Sequence, residues 1–269
     1  MKRSRFVFLL AVAACLSLAA AGALAQEQGR EYVPSVGQAG KDVVWVPTPQ
    51  DLVDAMLDMA EVTAADYVID LGSGDGRTVI TAAKRGATAM GIEYNPDMVE
   101  LAERNAAKAG VSDKATFVKA DLFESDFSRA TVITMFLLPR INLELRPKIL
   151  DMKPGTRVVS NSFDMELWKA DQATTLTEDC AGWCTAYLWI VPAKVDGEWK
   201  LDGGALSLRQ TFQEVTGKIT VGGKTSDLVG KLDGDVIRFE AGGEEFTGKV
   251  VGGAISGTRA RGGSWRATR

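Results

Sequence analysis

Val68-Ile69-Asp70-Leu71-Gly72-Ser73-Gly74-Asp75-Gly76-Arg77 is the stretch that decides the fold. A β-branched apolar run ends in an aspartate, glycines then alternate with small polar residues, and a helical pattern opens at Arg77. This is how a strand of an open α/β sheet offers its backbone to a ligand at its carboxyl end. Glycines at alternate positions tolerate positive φ and remove the Cβ atoms that would hold a ligand away. The spacing then narrows the ligand. The dinucleotide fingerprint G-x-G-x-x-G would need glycine where the chain has Arg77 or Val79, and the Gly-Lys-Ser/Thr ending of a P-loop is missing. What stands here is D-x-G-x-G-x-G, from Asp70 to Gly76.

Outward from this turn, strands and helices alternate. Val46-Pro47-Thr48-Pro49 reads as extended, because each proline biases its predecessor away from helix. Gln50–Glu61 carries Leu52, Val53, Met56, Leu57 and Ala60 at helical spacing. Strands are expected at Tyr67–Leu71, Ala89–Glu93, Ala115–Lys119, Thr131–Phe136 and Arg157–Ser160. Helices are expected at Arg77–Arg85, from the Asn95 cap and Pro96 to about Ala109, and around Pro147. Such alternation predicts an α/β fold with a doubly wound, mostly parallel sheet over residues 45–195. The pattern changes after Val195. Residues 200–269 are glycine-rich with short β-like runs, and Gly217-Lys218, Gly230-Lys231 and Gly248-Lys249 recur beside them. They predict a small antiparallel all-β domain, built as a weakly repetitive meander. Arg259, Arg261, Arg266 and Arg269 around Trp265 read as a solvated sheet edge in preference to an anion site.

The N-terminus has its own logic. Lys2, Arg3 and Arg5 precede an uncharged run from Phe6 to Ala25 that ends Ala23-Leu24-Ala25, the form of a secretory signal with a small-x-small cleavage site. Cleavage after Ala25 would leave an exported, periplasmic protein with no membrane span. The alternative is an uncleaved anchor that tethers it. Residues 26–44 read as a flexible lead-in. Removing the three basic residues of the signal, and no acid, takes the formal charge from −4 to −7, which gives no electrostatic footprint for nucleic acid. It also removes Cys15 and leaves Cys180 and Cys184, spaced for either a local disulfide or two free thiols. Histidine is absent from the chain, so His-based triads and His-containing zinc sites are excluded, and no metal is expected.

Three acids close three successive strands. Asp70 opens the glycine turn, and Glu93 follows roughly twenty residues on, where a carboxylate can accept ribose hydroxyls. Asp121 follows the third strand. Each alone has a structural reading, as a cap or a surface charge. Together they line one crevice that would repel a phosphate and suit a cationic nucleoside such as S-adenosylmethionine.

On these motifs, residues from about Val46 to Met165 resemble the class I, seven-β-strand S-adenosylmethionine-dependent methyltransferases. Val46-Pro47-Thr48-Pro49, the Asp70–Arg77 turn and Gly91-Ile92-Glu93-Tyr94-Asn95-Pro96 are similar to the small protein-lysine methyltransferases of mitochondria and their bacterial relatives. The resemblance implies that Asp70, Gly72, Ser73, Gly74, Asp75 and Gly76 hold the methionine end of S-adenosylmethionine. It places Glu93 on the ribose, Asp121 and Leu122 at the adenine, and Pro47 and Thr48 over the cofactor. Phe136-Leu137-Leu138-Pro139 would face the acceptor. That segment departs from the Asn/Asp-Pro-Pro-aromatic signature of enzymes that methylate nucleobase or glutamine amide nitrogens. The implied reaction is methyl transfer to an acceptor nitrogen, foremost a protein lysine. A small-molecule acceptor, and an exported nucleoside-binding protein without catalysis, stand as alternatives. No general base is legible; Tyr94 and Asp164 are the weak candidates. The oligomeric state is not readable.

Overall fold

The computed structural model describes residues 31–177, 180 and 182–269. The signal segment 1–25 and residues 26–30 of the lead-in lie outside the described residues. Residues 36–269 form one compact unit. No helix among the described residues is long and apolar enough to cross a membrane.

The first part of this unit is a seven-stranded sheet in the order β3-β2-β1-β4-β5-β7-β6. Its strands are β1 Tyr67–Leu71, β2 Thr88–Glu93, β3 Ala115–Lys119, β4 Val132–Met135, β5 Arg157–Asn161, β6 Gln172–Thr175 and β7 Thr185–Ile190. The first five pair in parallel, and β7 runs antiparallel to both β5 and β6. The chain order reverses beside β1, between β2 and β4, and ligands of such sheets bind outside the strand ends at that reversal.

Both faces are covered, which is why β1 and β4 read as near-continuous apolar runs. Helices α1 Gln50–Met59, α2 Arg77–Lys84 and α3 Pro96–Lys108 bury Leu52, Met56, Val79 and Ala102 on one face, together with Val68 and Val132. Helix α4 Pro139–Leu150 covers the other, where Ile141, Leu145 and Ile149 meet Ile69, Leu71, Ile133, Trp168 and Trp189. The Asn95 side chain caps α3 by accepting the Asp97 N–H at 2.9 Å. Beneath the sheet, Asp66 ties β1 to β5: its carboxylate accepts from the Thr63 N–H, the Thr131 hydroxyl and the Arg157 guanidinium. Burial alone would push Asp66 up, but these donors outweigh it and hold it below the usual carboxylate range.

The second part is a closed barrel of eight antiparallel strands. It comprises β8 Gly197–Leu201, β9 Gly204–Thr211, β10 Glu214–Val221, β11 Lys224–Asp233, β12 Val236–Ala241, β13 Glu244–Val251, β14 Ala254–Arg259 and β15 Ser264–Thr268. Successive strands pair as hairpins, and β15 returns to β8 through Ala267–Leu201 and Thr268–Lys200. The recurring glycines are what allow the sheet to curl. A Cβ on Gly248 would meet the Trp265 ring at 2.6 Å, and one on Gly230 would lie 2.4 Å from the Phe239 Cβ. The interior holds Trp199, Leu206, Leu208, Ile237, Phe239, Phe246, Ile255 and Trp265. Closure overturns the expectation of a sheet edge at the C-terminal arginines, because β14 and β15 are paired on both sides. Arg269 instead lies 4.5 Å over the Trp199 ring and donates to the Lys194 and Asp196 carbonyls.

The barrel is fastened to the sheet. The Phe212 ring stacks on Trp168 with centroids 6.0 Å apart, the Gln213 side chain donates to the Lys169 carbonyl at 2.8 Å, and Lys231 pairs with Asp171 at 2.9 Å.

Gly76 tests the local argument. It has φ +82°, and a Cβ there would sit 2.7 Å from the Phe117 ring and 2.8 Å from the Ala102 Cβ. Gly76→Ala combines a left-handed backbone with overpacking and should destabilise by about 2–4 kcal/mol. Urea unfolding should show a lower midpoint at unchanged m; an unshifted midpoint contradicts the packing described.

Candidate active site

The cavity opens at the carboxyl ends of β1, β2 and β4. Its lining includes Pro47, Thr48, Asp70, Gly72, Ser73, Gly74, Asp75, Glu93, Asp121, Leu122, Phe136, Leu137 and Leu138, and its volume is about 180 Å³. The three strand-end acids therefore share one hollow. Gly76 and Pro139 are not part of the lining: Gly76 precedes the first residue of α2, packed on Phe117, and Pro139 is the first residue of α4. Of the two base candidates, Tyr94 lies at the cavity margin, half exposed. Asp164 is exposed outside the lining, and its carboxylate accepts the Glu166 N–H. Asp164 therefore lies away from the cavity, whereas Tyr94 borders it.

Gly72, Gly74 and Gly76 all have φ between +53° and +82°, a left-handed run whose amides are held within the protein: Gly72 and Ser73 donate to the Ile92 carbonyl and Gly76 to that of Ser73. Glu93 braces this turn. One carboxylate oxygen accepts the Gly74 N–H at 3.0 Å and the other the Asn95 N–H at 2.9 Å. Each oxygen keeps a lone pair for a further donor, so the ribose role expected of Glu93 is compatible with its bracing role. Ser73 Oγ is buried without a hydrogen-bond partner, packed against Gly91, where a Cβ would come within 2.4 Å of it.

Asp70 is the most perturbed group. Its side chain is buried and accepts the Thr134 hydroxyl at 2.7 Å. Burial pushes it up to about 7 against the Thr134 hydrogen bond, and the negative charges of Glu93 and Asp75 add to the rise. A cation in the hollow would reverse this.

Beyond the residues given a role in the sequence, Arg77, Trp45, Lys41, Phe163 and Trp183 shape the site. Arg77 grips Asp75 through two nitrogens, at 3.0 and 2.6 Å, and donates to the Thr48 carbonyl at 2.8 Å, which fixes the Pro47–Thr48 segment over the turn. Residues 38–45 fold back as a tight hairpin, with Ala39 bridged to Val44. From it Trp45 lies over Gly74, where a Cβ would come within 2.7 Å of the indole nitrogen, and Lys41 binds the Asp121 carboxylate with its ammonium 5.0 Å from the Tyr94 ring centroid. The hydrogen bond to Asp121 raises Lys41, and the same bond lowers Asp121. Phe163 and Trp183 complete the lining beside Phe136. Cys180 and Cys184 are joined by a disulfide in the loop that leads into β7. The described residues contain no cluster suited to a metal ion.

The comparisons with known proteins agree with this geometry. The model of the ANTKMT methyltransferase domain family matches residues 70–172. A protein-lysine N-methyltransferase of Saccharolobus islandicus is 44% identical over 163 residues, which is 60% of this chain and 96% of that protein. The adenine nucleotide translocase lysine N-methyltransferase of Mus musculus is 36% identical over 104 residues, covering 38% of this chain and 45% of its own length. Among solved structures, one from Salinibacter ruber, described as an RNA methyltransferase in complex with S-adenosyl-L-homocysteine, is 47% identical with a TM-score of 0.53. It covers 56% of this chain and 96% of that one.

Asp70 makes donor binding pH-dependent. Between about pH 4 and 7 the unfolded chain ionises this group while the folded protein keeps it protonated. The free protein therefore loses stability as pH rises through that window and levels off above it. A cationic donor favours the ionised form. Affinity for S-adenosylmethionine should rise by up to about tenfold per pH unit below 7 and then flatten, and Asp70→Asn should abolish the slope while stabilising the free protein at pH 8. Calorimetry from pH 5.5 to 8.5 checks this; a flat profile in the unaltered protein contradicts it.

Proposed function

Since the chain belongs to the class I S-adenosylmethionine-dependent methyltransferases, and within them to the small protein-lysine methyltransferase family of the ANTKMT type, we propose that it methylates the side-chain nitrogen of a protein lysine outside the cytosol. The observation that carries the reading is the cavity itself: an acid-lined hollow beside a bare glycine turn, closed on its acceptor side by Phe136, Leu137 and Leu138.

The donor supplies a methyl group already activated on a sulfonium. The protein's part is to bind, align and dry the site. Asp70, Ser73 and the Gly72–Gly74 backbone would hold the methionine end, Glu93 the ribose, and Asp121 with Leu122 the adenine. Arg77 and the Lys41–Trp45 hairpin keep Pro47 and Thr48 in place above them. Amide and nucleobase nitrogens are poor nucleophiles and need a polar clamp, for which Phe136-Leu137-Leu138-Pro139 has no donor or acceptor side chain. A lysine amine needs only to shed its proton, and a nearby positive charge together with desolvation lowers its pKa. Water can take that proton, so the absence of a buried base is no obstacle.

The basic start, apolar run and Ala23-Leu24-Ala25 ending support export with cleavage before Gln26. An RNA acceptor is suggested by the description of the Salinibacter structure and by a similar 23S rRNA (uracil(1939)-C(5))-methyltransferase of Acidithiobacillus ferrooxidans. The acidic balance of the chain and the apolar acceptor segment favour protein over RNA.

Incubation with methyl-labelled S-adenosylmethionine and an envelope protein extract, followed by hydrolysis to amino acids, should place the label in methylated lysine. Label in RNA alone overturns the reading. Glu93→Ala should weaken donor binding by about 1.5–3 kcal/mol, the loss expected for hydrogen bonds to a charged group, and cut labelling with it. Mass spectrometry of the natural N-terminus should find Gln26 first; an intact Met1 or Lys2 start supports a tether instead.

A further inference from the structure

Three aromatic rings from three separate loops meet on the acceptor side of the cavity. Phe136 follows β4, Phe163 follows β5, and Trp183 stands in the loop between β6 and β7. Their centroids are 6.2 Å (Phe136–Phe163), 5.8 Å (Phe136–Trp183) and 5.4 Å (Phe163–Trp183) apart, and all three line the cavity. Two of the three segments reach this arrangement through unfavourable backbone. Ser162, which turns the chain into Phe163, has φ +61°, and Trp183 itself has φ +60°. Left-handed non-glycine residues persist where the surroundings hold them, and they concentrate at functional sites. Trp183 lies between Cys180 and Cys184, which a disulfide joins, and its ring packs on Phe136 and Phe163. Cys184 is anchored in turn, because its carbonyl accepts the Leu176 N–H at 3.0 Å. Trp183 is 49% exposed.

The charges around the wall specify what it can receive. Both cations lining the cavity, Lys41 and Arg77, are engaged by acids, Asp121 and Asp75. Aromatic faces attract cations through the ring quadrupole, and among the described residues this wall presents three rings and no competing ammonium.

We propose that Trp183, presented by the Cys180–Cys184 crosslink, is a specificity element: with Phe136 and Phe163 it selects an alkylammonium side chain over a neutral one of the same shape. This rests on the lysine reading above and names the residue that enforces it. The crosslink contributes by limiting the conformations of a short exposed loop, so that the wall is formed before the acceptor arrives. The methylated product keeps its charge, so the wall also retains it between successive transfers. Trp183 is thus a specificity residue and the cysteines are positioning residues.

The test uses the full chain saturated with S-adenosylhomocysteine and two non-reacting probes, acetyl-Nε-trimethyl-lysine amide and its neutral isostere with carbon in place of the ammonium nitrogen. The intact protein should bind the charged probe about 3- to 30-fold more tightly. Trp183→Ala should erase that ratio, Trp183→Phe should restore part of it, and Cys180→Ser/Cys184→Ser should lower it. Affinity for S-adenosylhomocysteine should stay unchanged throughout. Reduction of the native disulfide with dithiothreitol repeats the last arm without a substitution. Equal binding of the two probes by the intact protein, or no binding of either, overturns the proposal. So does a ratio unaffected by loss of Trp183 or of the disulfide. Because probe binding requires no turnover, the selectivity can fail while methyl-lysine still forms in the extract assay, and the converse holds as well.

Discussion

The hydrogen bond from the Gly74 N–H to the Glu93 carboxylate is the interaction on which the site depends. A turn made of left-handed glycines has no side chains to brace it, and glycine gives up more chain entropy on ordering than any other residue. Something outside the turn must fix it. Glu93 does so from the end of the neighbouring strand, in reach because β1 and β2 run in parallel register from Tyr67–Thr88 to Leu71–Ile92. Arg77 acts on the other side by holding Asp75 and Thr48. The glycines give the ligand backbone to touch, and two charged side chains keep that backbone where it is useful.

Charge is governed by the same division of labour. Acids crowded at neighbouring strand ends would repel one another in a dry cavity, and the structure manages them in different ways. Asp121 is paired with Lys41, Asp75 with Arg77, and Asp70 is driven toward its neutral form. Glu93 is met by the Gly74 and Asn95 amides, with no cation beside it, so Asp70 and Glu93 together leave a demand for positive charge. A stable free protein and a strong grip on a cationic donor therefore pull Asp70 in opposite directions, and the fold keeps the acid although the free state is weaker for it.

Much of this is legible in the sequence where hydrophobic periodicity and turn chemistry coincide. The five parallel strands and four helices follow from apolar runs bounded by Gly, Pro and Asn, and the expected strands end within a residue or so of those found. β6 gives no such signal because its residues, Gln172–Thr175, are mostly exposed and polar, with no alternation to read. The 38–45 hairpin reads as loose lead-in because its order comes from Trp45 on Gly74 and Lys41 on Asp121, contacts distant in sequence. Gly76 looks like its two partners in the motif, yet its missing Cβ serves the packing of α2 on Phe117. Phe163 and Trp183 are silent because single aromatic residues in loops have no period. The barrel's β character is plain from its glycines, but closure is a three-dimensional property of the whole meander.

That closure has a temporal side. β8 finds its second neighbour only in β15, through Ala267 and Thr268, and the strands between them come off the ribosome in order. Until the final hairpin arrives, the nascent module is a curling ribbon with two raw selvedges, open to partners other than its own. The cylinder therefore behaves as a latch thrown by its last strand. Loss of β15 would unzip the seam and take Trp265 out of the interior, so that a clipped molecule would expose both raw edges and core to its fellows.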